Sequence, residues 1–330
     1  MAKVIRVNFF TKDKLNLISE ENKNKYEKYY QSCIIRNSDM KNTTYKVYKN
    51  YFYHFLCYLA LFHNNIDLYS KEFFDNAVDI MEGFISFCQE TLKNHKKVIN
   101  TKISAVSTFY NWSLKRRLID KHPFDKQLER LKYANDEKII NSYFLSNSQI
   151  DTIIKELESN EKYDIQYRII FSLMLDSANR IGAIEKLTLS SLDLSNMLFK
   201  NIREKRGYLV DVIFEKYTKE LIEKWIDIRK GLDGLSVDSL FIVKHGDNFT
   251  PMSRSTIQNR INKIGQIIGI DDFHAHCIRK TRLNEIYENT GDLALAAELG
   301  NHKSTETTRL SYIKPKSKIE LRDKLRIRHH

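Results

Sequence analysis

The chain has 330 residues, with 54 Lys or Arg against 42 Asp or Glu, a net charge of +12 with neutral histidines and a pI near 9.3. Its 42% hydrophobic and 12% aromatic residues exclude a largely disordered chain and allow two or three domain cores. Ten Gly and three Pro are too few turns for a sandwich, propeller or collagen-like array, so long helices are expected, and the dispersed basic excess favours a polyanionic partner such as nucleic acid.

The amino-terminal MAKVIRVNFFTKDK has a basic start but no apolar core or cleavage site, so it does not read as a secretory signal. No apolar run of about 18 residues occurs anywhere, which excludes a transmembrane helix. From Thr43 to Phe62, Tyr45, Tyr48, Phe52 and Phe55 recur at three- and four-residue steps and predict an amphipathic helix. A second helical pattern covers Lys71 to Asn94. A third begins near Lys96, with Ile99, Ile103, Val106 and Tyr110 on one face and Lys96, Lys97 and Lys102 off it, and leaves through the basic FYNWSLKRRLID. After His122-Pro123 the periodicity weakens across KQLERLKYANDEKIINSYF, which sets a domain boundary near residue 138.

The second half restarts at LSNSQI, where Ser146 or Ser148 caps a helix entering IDTIIKELES. A helix from about Asp164 to Leu175 carries Ile165, Ile169, Ile170 and Leu173 on its apolar side and leads into DSANRIGAIEKL. The runs NMLFKNI and YLVDVIF, separated by the charged REKRG, read as a β-hairpin. Then come an amphipathic helix near Lys216 to Gly231, a short apolar LFIV, and the helix SRSTIQNRINKIGQIIGI. There Ile257, Ile261, Ile264 and Ile268 point one way and Arg260 and Lys263 another. Cys33, Cys57, Cys88 and Cys277 form no CxxC pair, as expected of reduced thiols in a cytoplasm. His329 and His330 look like the remnant of a purification tag.

Patterns for nucleotide-phosphate loops, dinucleotide binding, HExxH metal sites and GxSxG nucleophiles are missing. The HAHC run at His274 to Cys277 concentrates donors, but no second paired Cys or His motif completes a zinc site, so no metal and no cofactor is expected. In HCIRKT, His276 and Arg279 stand three apart on one face of a helix start, with Lys280 adjacent. A guanidinium forks onto two phosphate oxygens and an imidazole exchanges a proton near neutrality, a pair suited to a phosphodiester.

The order of motifs carries a family resemblance. Arg180 in SANRIGAIEKL, the basic hairpin, HCIRKT, and ELGNHKSTETTRLSYI resemble the successive boxes of the tyrosine recombinases, or phage integrases, with 23 residues from Arg279 to His302. The amino half resembles the family's helical core-binding domain, down to TKISAVSTFYNWSLKRRLIDKHPF. The resemblance implies a mainly α fold with a small β-sheet and two domains. Residues 1–137 would form a helical DNA-binding domain and 138–328 a catalytic-type domain with a basic tail.

It also implies roles. Arg180 and Arg279 would hold the scissile phosphate, His276 would take the nucleophile's proton, His302 would hydrogen-bond the phosphate, and Tyr312 would attack it to form a 3′-phosphotyrosine. A hairpin lysine would protonate the leaving 5′ oxygen; Lys205 is the choice, with Arg203 and Arg206 as alternatives. Lys102, Arg116 and Arg117 on one domain, and Arg254, Arg260, Lys263 and Lys280 on the other, would contact double-stranded DNA. From Lys314 to Arg328, seven basic and two acidic residues accompany Ile319, Leu321, Leu325 and Ile327, a tail suited to self-association or to lying on DNA.

Three positions depart from the family pattern. Ala183 stands where an acid usually follows the first arginine, Asn301 replaces the glycine before the histidine, and the commonest tyrosine spacing falls on Ser311. Two readings follow: a site-specific recombinase of a mobile element, or a regulator such as a phage repressor that keeps the fold and has lost strand exchange.

Overall fold

The computed structural model describes residues 9–36, 44–132, 143–204, 208–232 and 236–314. The chain divides into two compact units, Met1–Ile139 and Ile140–His330.

The first unit is built from α1 (Lys12–Asn16), α2 (Glu20–Arg36), α3 (Thr44–Phe62), α4 (Lys71–Glu90) and α5 (Lys96–Lys115). Its core is aromatic. Tyr26 stacks on Phe52 with ring centroids 4.1 Å apart, and Phe109 meets Phe52 at 4.9 Å. Each such side chain, once buried, contributes about 1.5–3 kcal/mol. Phe52 and Phe55 reach this core, whereas Tyr45 and Tyr48 are half-buried at its margin. The face Ile99, Ile103, Val106 and Tyr110 of α5 is fully inside. Ser70 caps α4 by accepting from the Phe73 N–H, and α4 stops at Glu90, short of Asn94, before Lys93 takes a left-handed φ of 49°.

The second unit begins with α6 (Asn147–Ser159). Ser146 is its cap, in a reciprocal capping box with Gln149. Then follow α7 (Ile165–Ser177), α8 (Ile181–Ile184), β1 (Leu192–Asp193), β2 (Leu198–Arg203), β3 (Leu209–Ile213), α9 (Lys216–Lys230), β4 (Ile242–His245), β5 (Asn248–Pro251), α10 (Arg254–Ile267), α11 (Ala275–Thr290), α12 (Leu293–Leu299) and α13 (Thr305–Tyr312). The fold is mostly helical, and the described residues form two small antiparallel sheets, one ordered β1-β2-β3 and one pairing β4 with β5. The apolar LFIV stretch therefore enters a hairpin, with the polar NFTP segment as its second strand. Helix α7 is apolar nearly all round because other elements cover it on several sides, and Ile169, Ile170, Phe171, Leu173 and Met174 are all buried. Among the described residues no helix is long and apolar enough to cross a membrane.

Candidate active site and nucleic-acid interface

Three segments of the second unit meet around one guanidinium. Helix α7 ends at Ser177, and its C-cap Ala178, with a left-handed φ of 51°, turns the chain and leaves its carbonyl to accept from Arg279 Nη1. The turn after α12 presents the Gly300 carbonyl to Nη2 of the same arginine. Arg279, on α11, is 1% exposed. Two carbonyls and a ring nitrogen receive N–H groups of Nη1 and Nη2 and offset the burial of that charge, while Nε is buried with no partner among the described residues.

The ring nitrogen belongs to His302. Its Nε2 lies 2.7 Å from Arg279 Nη2, and its Nδ1 lies 2.7 Å from Thr308 Oγ1 on α13. Arginine only donates, so Nε2 must accept; the ring proton of the neutral imidazole then sits on Nδ1 and donates to Thr308. Burial first, then Arg279, Arg180 and His276, push the His302 pKa down to about 4. His276 is likewise held at about 4 by burial and by Lys280, Arg279, His274 and Arg180. Both rings are uncharged near neutral pH.

Tyr312 closes the cluster. Its ring lies 4.8 Å from His276, 4.5 Å from His302 and 5.0 Å from the Arg279 guanidinium, centroid to centroid or to the central carbon. Helix α13 is capped by Ser304 and ends at Tyr312. That phase places Tyr312, not the preceding Ser311, against the histidines, and leaves the tyrosine 6% exposed over Arg279. Asn301 adopts φ of 49°, a conformation that asparagine tolerates better than most residues, and its amide reaches Asn179 Oδ1 at 3.2 Å. The glycine missing before His302 is thus replaced without loss of the turn.

Arg180 stands at the N-cap position of α8 and borders a cleft of about 500 Å³ lined by Glu204, Tyr208, Asn301, His302 and Lys303. Its Nη1 donates to Glu204 Oε2 at 2.7 Å. Asp176, the neighbouring carboxylate in sequence, instead accepts from Thr218 Oγ1 at 2.5 Å and from the Glu215 N–H at 3.0 Å. Ala183 is buried among apolar side chains, and Glu185 receives Arg254 through its backbone N–H and its Nε. The Arg254 guanidinium passes so close to Gly182 that a Cβ there would collide with it.

Sequence reasoning missed Glu204, Thr308 and the Ala178 carbonyl. A lone acid inside the otherwise basic REKRG was the available signal for the first. Lys205 and Arg206 lie outside the described residues, as does the tail beyond Lys314. Arg203 is exposed at the end of β2. In the HAHC run, Cys277 Sγ and His274 Nδ1 bond to one another at 3.1 Å while His276 packs on Tyr312, and no metal-binding group of these residue types forms among the described residues.

Expected duplex contacts divide. Lys102 is a correction: it is fully buried in the first unit, its Nζ 2.6 Å from Asn94 Oδ1 and 3.6 Å from Cys88 Sγ, and cannot reach a phosphate. Arg260 turns both prongs of its fork onto Asp164, at 2.7 and 2.8 Å, over the Tyr167 ring. Arg116, Arg117 and Lys263 are exposed, Arg254 keeps half its side-chain surface, and Lys280 is half-buried beside His276. Arg116 reaches Ser32 Oγ at 3.2 Å, and Arg117 takes a left-handed φ of 55° just after α5.

The model of the phage integrase family matches residues 143–318, more than half of the chain and the whole of the cluster around Arg279. This chain belongs to the phage integrase family. The tyrosine recombinase XerC of Listeria welshimeri is 24% identical to this family member over 221 residues, covering 65% of this chain and 70% of that protein. The Tn1549 transposon integrase in complex with transposon right end DNA superposes with a TM-score of 0.64 at 16% identity, over 90% of this chain and 96% of that one. The XerH site-specific recombinase bound to its difH substrate gives 0.63 at 16%, over 94% and 92%. These likenesses show that the integrase fold extends over the helical amino half as well as the matched segment.

Proposed function

We propose that this phage integrase family member is a site-specific recombinase that cuts and rejoins double-stranded DNA through Tyr312. The observation that carries the reading is the convergence of Arg279, His276 and His302 on the Tyr312 ring, with Arg180 in the adjoining cleft. A regulator that had lost chemistry has no need to keep two buried imidazoles and a buried guanidinium around a tyrosine. The Xer and integrase relatives favour the enzyme in the same direction.

In this reading the scissile phosphate displaces Tyr312 from its packing on Arg279 and takes up the arginine's Nη2. Arg180 holds a second non-bridging oxygen. Neutral His276 accepts the Tyr312 hydroxyl proton as its oxygen attacks phosphorus, and the P–O5′ bond breaks. Lys205 protonates the leaving 5′ oxygen; an arginine at that place would be a poor donor because its pKa exceeds about 12. The phosphate's negative charge raises the His302 pKa, so that Nε2 changes from acceptor to donor toward it. The 3′-phosphotyrosine conserves the phosphodiester energy, and rejoining is the same reaction reversed by a 5′ hydroxyl. Residues 1–137 serve as the core-binding DNA domain, 138–328 as the catalytic domain, and the basic tail supports association of protomers on DNA, in the cytoplasm.

The test begins by selecting bound fragments from the source genome to recover the cognate site. A plasmid carrying two copies is then incubated with the purified protein in chelator without ATP. Recombinant circles are expected; binding to single promoter sites with no recombinant product would overturn the proposal.

A further inference from the structure

Glu204 has no counterpart among the residues that the motif order assigned. It follows β2, where its backbone N–H donates to the Tyr208 carbonyl at 2.7 Å and helps close the hairpin. Its side chain is 8% exposed against 42% for Arg180, and its Oε2 accepts from Arg180 Nη1. Among the described residues Oε1 lies buried with no hydrogen-bond partner. A carboxylate so placed is costly unless a cation compensates it, and the geometry shows Arg180 doing so.

The other carboxylates near Arg180 are committed. Asp176 holds Thr218 and the start of α9, Glu185 holds Arg254, and position 183 is an alanine facing the core. We propose that Glu204 is the positioning residue for Arg180, replacing from the hairpin the acid that Ala183 lacks. One N–H on Nη1 goes to Glu204, which fixes the guanidinium plane and leaves its other donors for a phosphate oxygen. Because Glu204 immediately precedes Lys205 in sequence, the same contact ties the placement of the phosphate-binding arginine to the strand that leads to the proposed proton donor. This inference rests on the recombinase reading of the site.

The experiment compares the full-length wild type with Glu204→Gln and Glu204→Ala on the cognate site. It measures DNA affinity and the single-turnover rate of covalent adduct formation at saturating DNA. A substrate nicked beside the scissile phosphate traps the adduct, and a parallel substrate carries an uncharged methylphosphonate there. Misplacing a positioning group by about 1 Å costs on the order of 100-fold, so both variants are expected to slow cleavage about 10- to 100-fold with affinity within about twofold of wild type. On the methylphosphonate, where one charged oxygen is missing, the penalty should shrink to about threefold. Wild-type rates in Glu204→Gln and Glu204→Ala would overturn the inference. So would an equal penalty on both substrates, or a loss of affinity that accounts for the slowing. Absence of adduct in the wild type would instead sink the recombinase reading itself.

Discussion

At the scale of single residues, the proposed chemistry rests on Arg279 and the two histidines packed around Tyr312. Arg279 is a structural tie, because its N–H groups reach the Ala178 and Gly300 carbonyls and His302, and in the proposed mechanism it is also the phosphate ligand. Arg279→Lys keeps the charge but loses the planar fork. It is expected to cost about 1–3 kcal/mol in urea unfolding, from carbonyls left unpaired, and to slow cleavage about 100- to 1000-fold. Loss of stability without loss of cleavage would separate the two roles and remove the catalytic one. His276 and His302 are held near pKa 4 when folded, against about 6.5 in an unfolded chain. As pH falls, the unfolded chain therefore takes up these two protons first. Their contribution to stability is complete above about pH 6.5 and declines as pH drops toward 4. The urea midpoint of the wild type should fall across that window more steeply than that of the His276→Gln/His302→Gln double variant; parallel curves would contradict the assignment. The His276–Arg279 pairing was legible from a three-residue spacing on one helix face. The Glu204 partner of Arg180 was not, since it depends on a hairpin returning 24 residues later.

At the scale of elements, period and capping were read directly from sequence wherever one face of a helix is apolar. The buried face of α5, the Ser146 cap of α6 and the run of isoleucines on α10 are examples. What periodicity cannot specify is the neighbour. Lys102 is off the Ile99, Ile103 and Val106 stripe, yet the packing of α5 encloses it and supplies Asn94 and Cys88 as partners. Strand β5 was invisible because the polar NFTP is held by backbone pairing with β4 and not by a hydrophobic pattern. On α10 the same limit separates two cations that looked alike. Arg260 is bound to Asp164, the N-cap of α7, while Lys263 is exposed. Lys263→Ala is expected to reduce the salt slope of duplex binding by about one. Arg260→Ala should leave that slope unchanged and instead lower stability by about 1 kcal/mol. Salt titrations of affinity alongside urea unfolding check both, and a slope change in Arg260→Ala alone would reverse the assignment.

At the scale of the whole molecule, the excess of +12 serves two purposes that composition alone cannot separate. In the proposed reading a few cations, Arg180 and Arg279 foremost, surround one phosphate, and the exposed ones add affinity for any duplex. The order of boxes along the chain made the family and its mostly helical architecture legible, because each box sits at an element end whose spacing the fold preserves. The departures at Ala183 and Asn301 are absorbed by long-range structure: Glu204 supplies a carboxylate to Arg180, and Asn301 accepts the left-handed turn. The tyrosine shifted by one residue is likewise resolved by the phase of α13, which turns Tyr312 inward. The most direct test of the account is the covalent link itself. A cognate duplex nicked beside the scissile phosphate is incubated with the protein, and the trapped adduct is digested and sequenced by mass spectrometry. The account predicts a 3′-phosphonucleotide on Tyr312 and no adduct in Tyr312→Phe; an adduct on another residue, or one that survives the substitution, would contradict it.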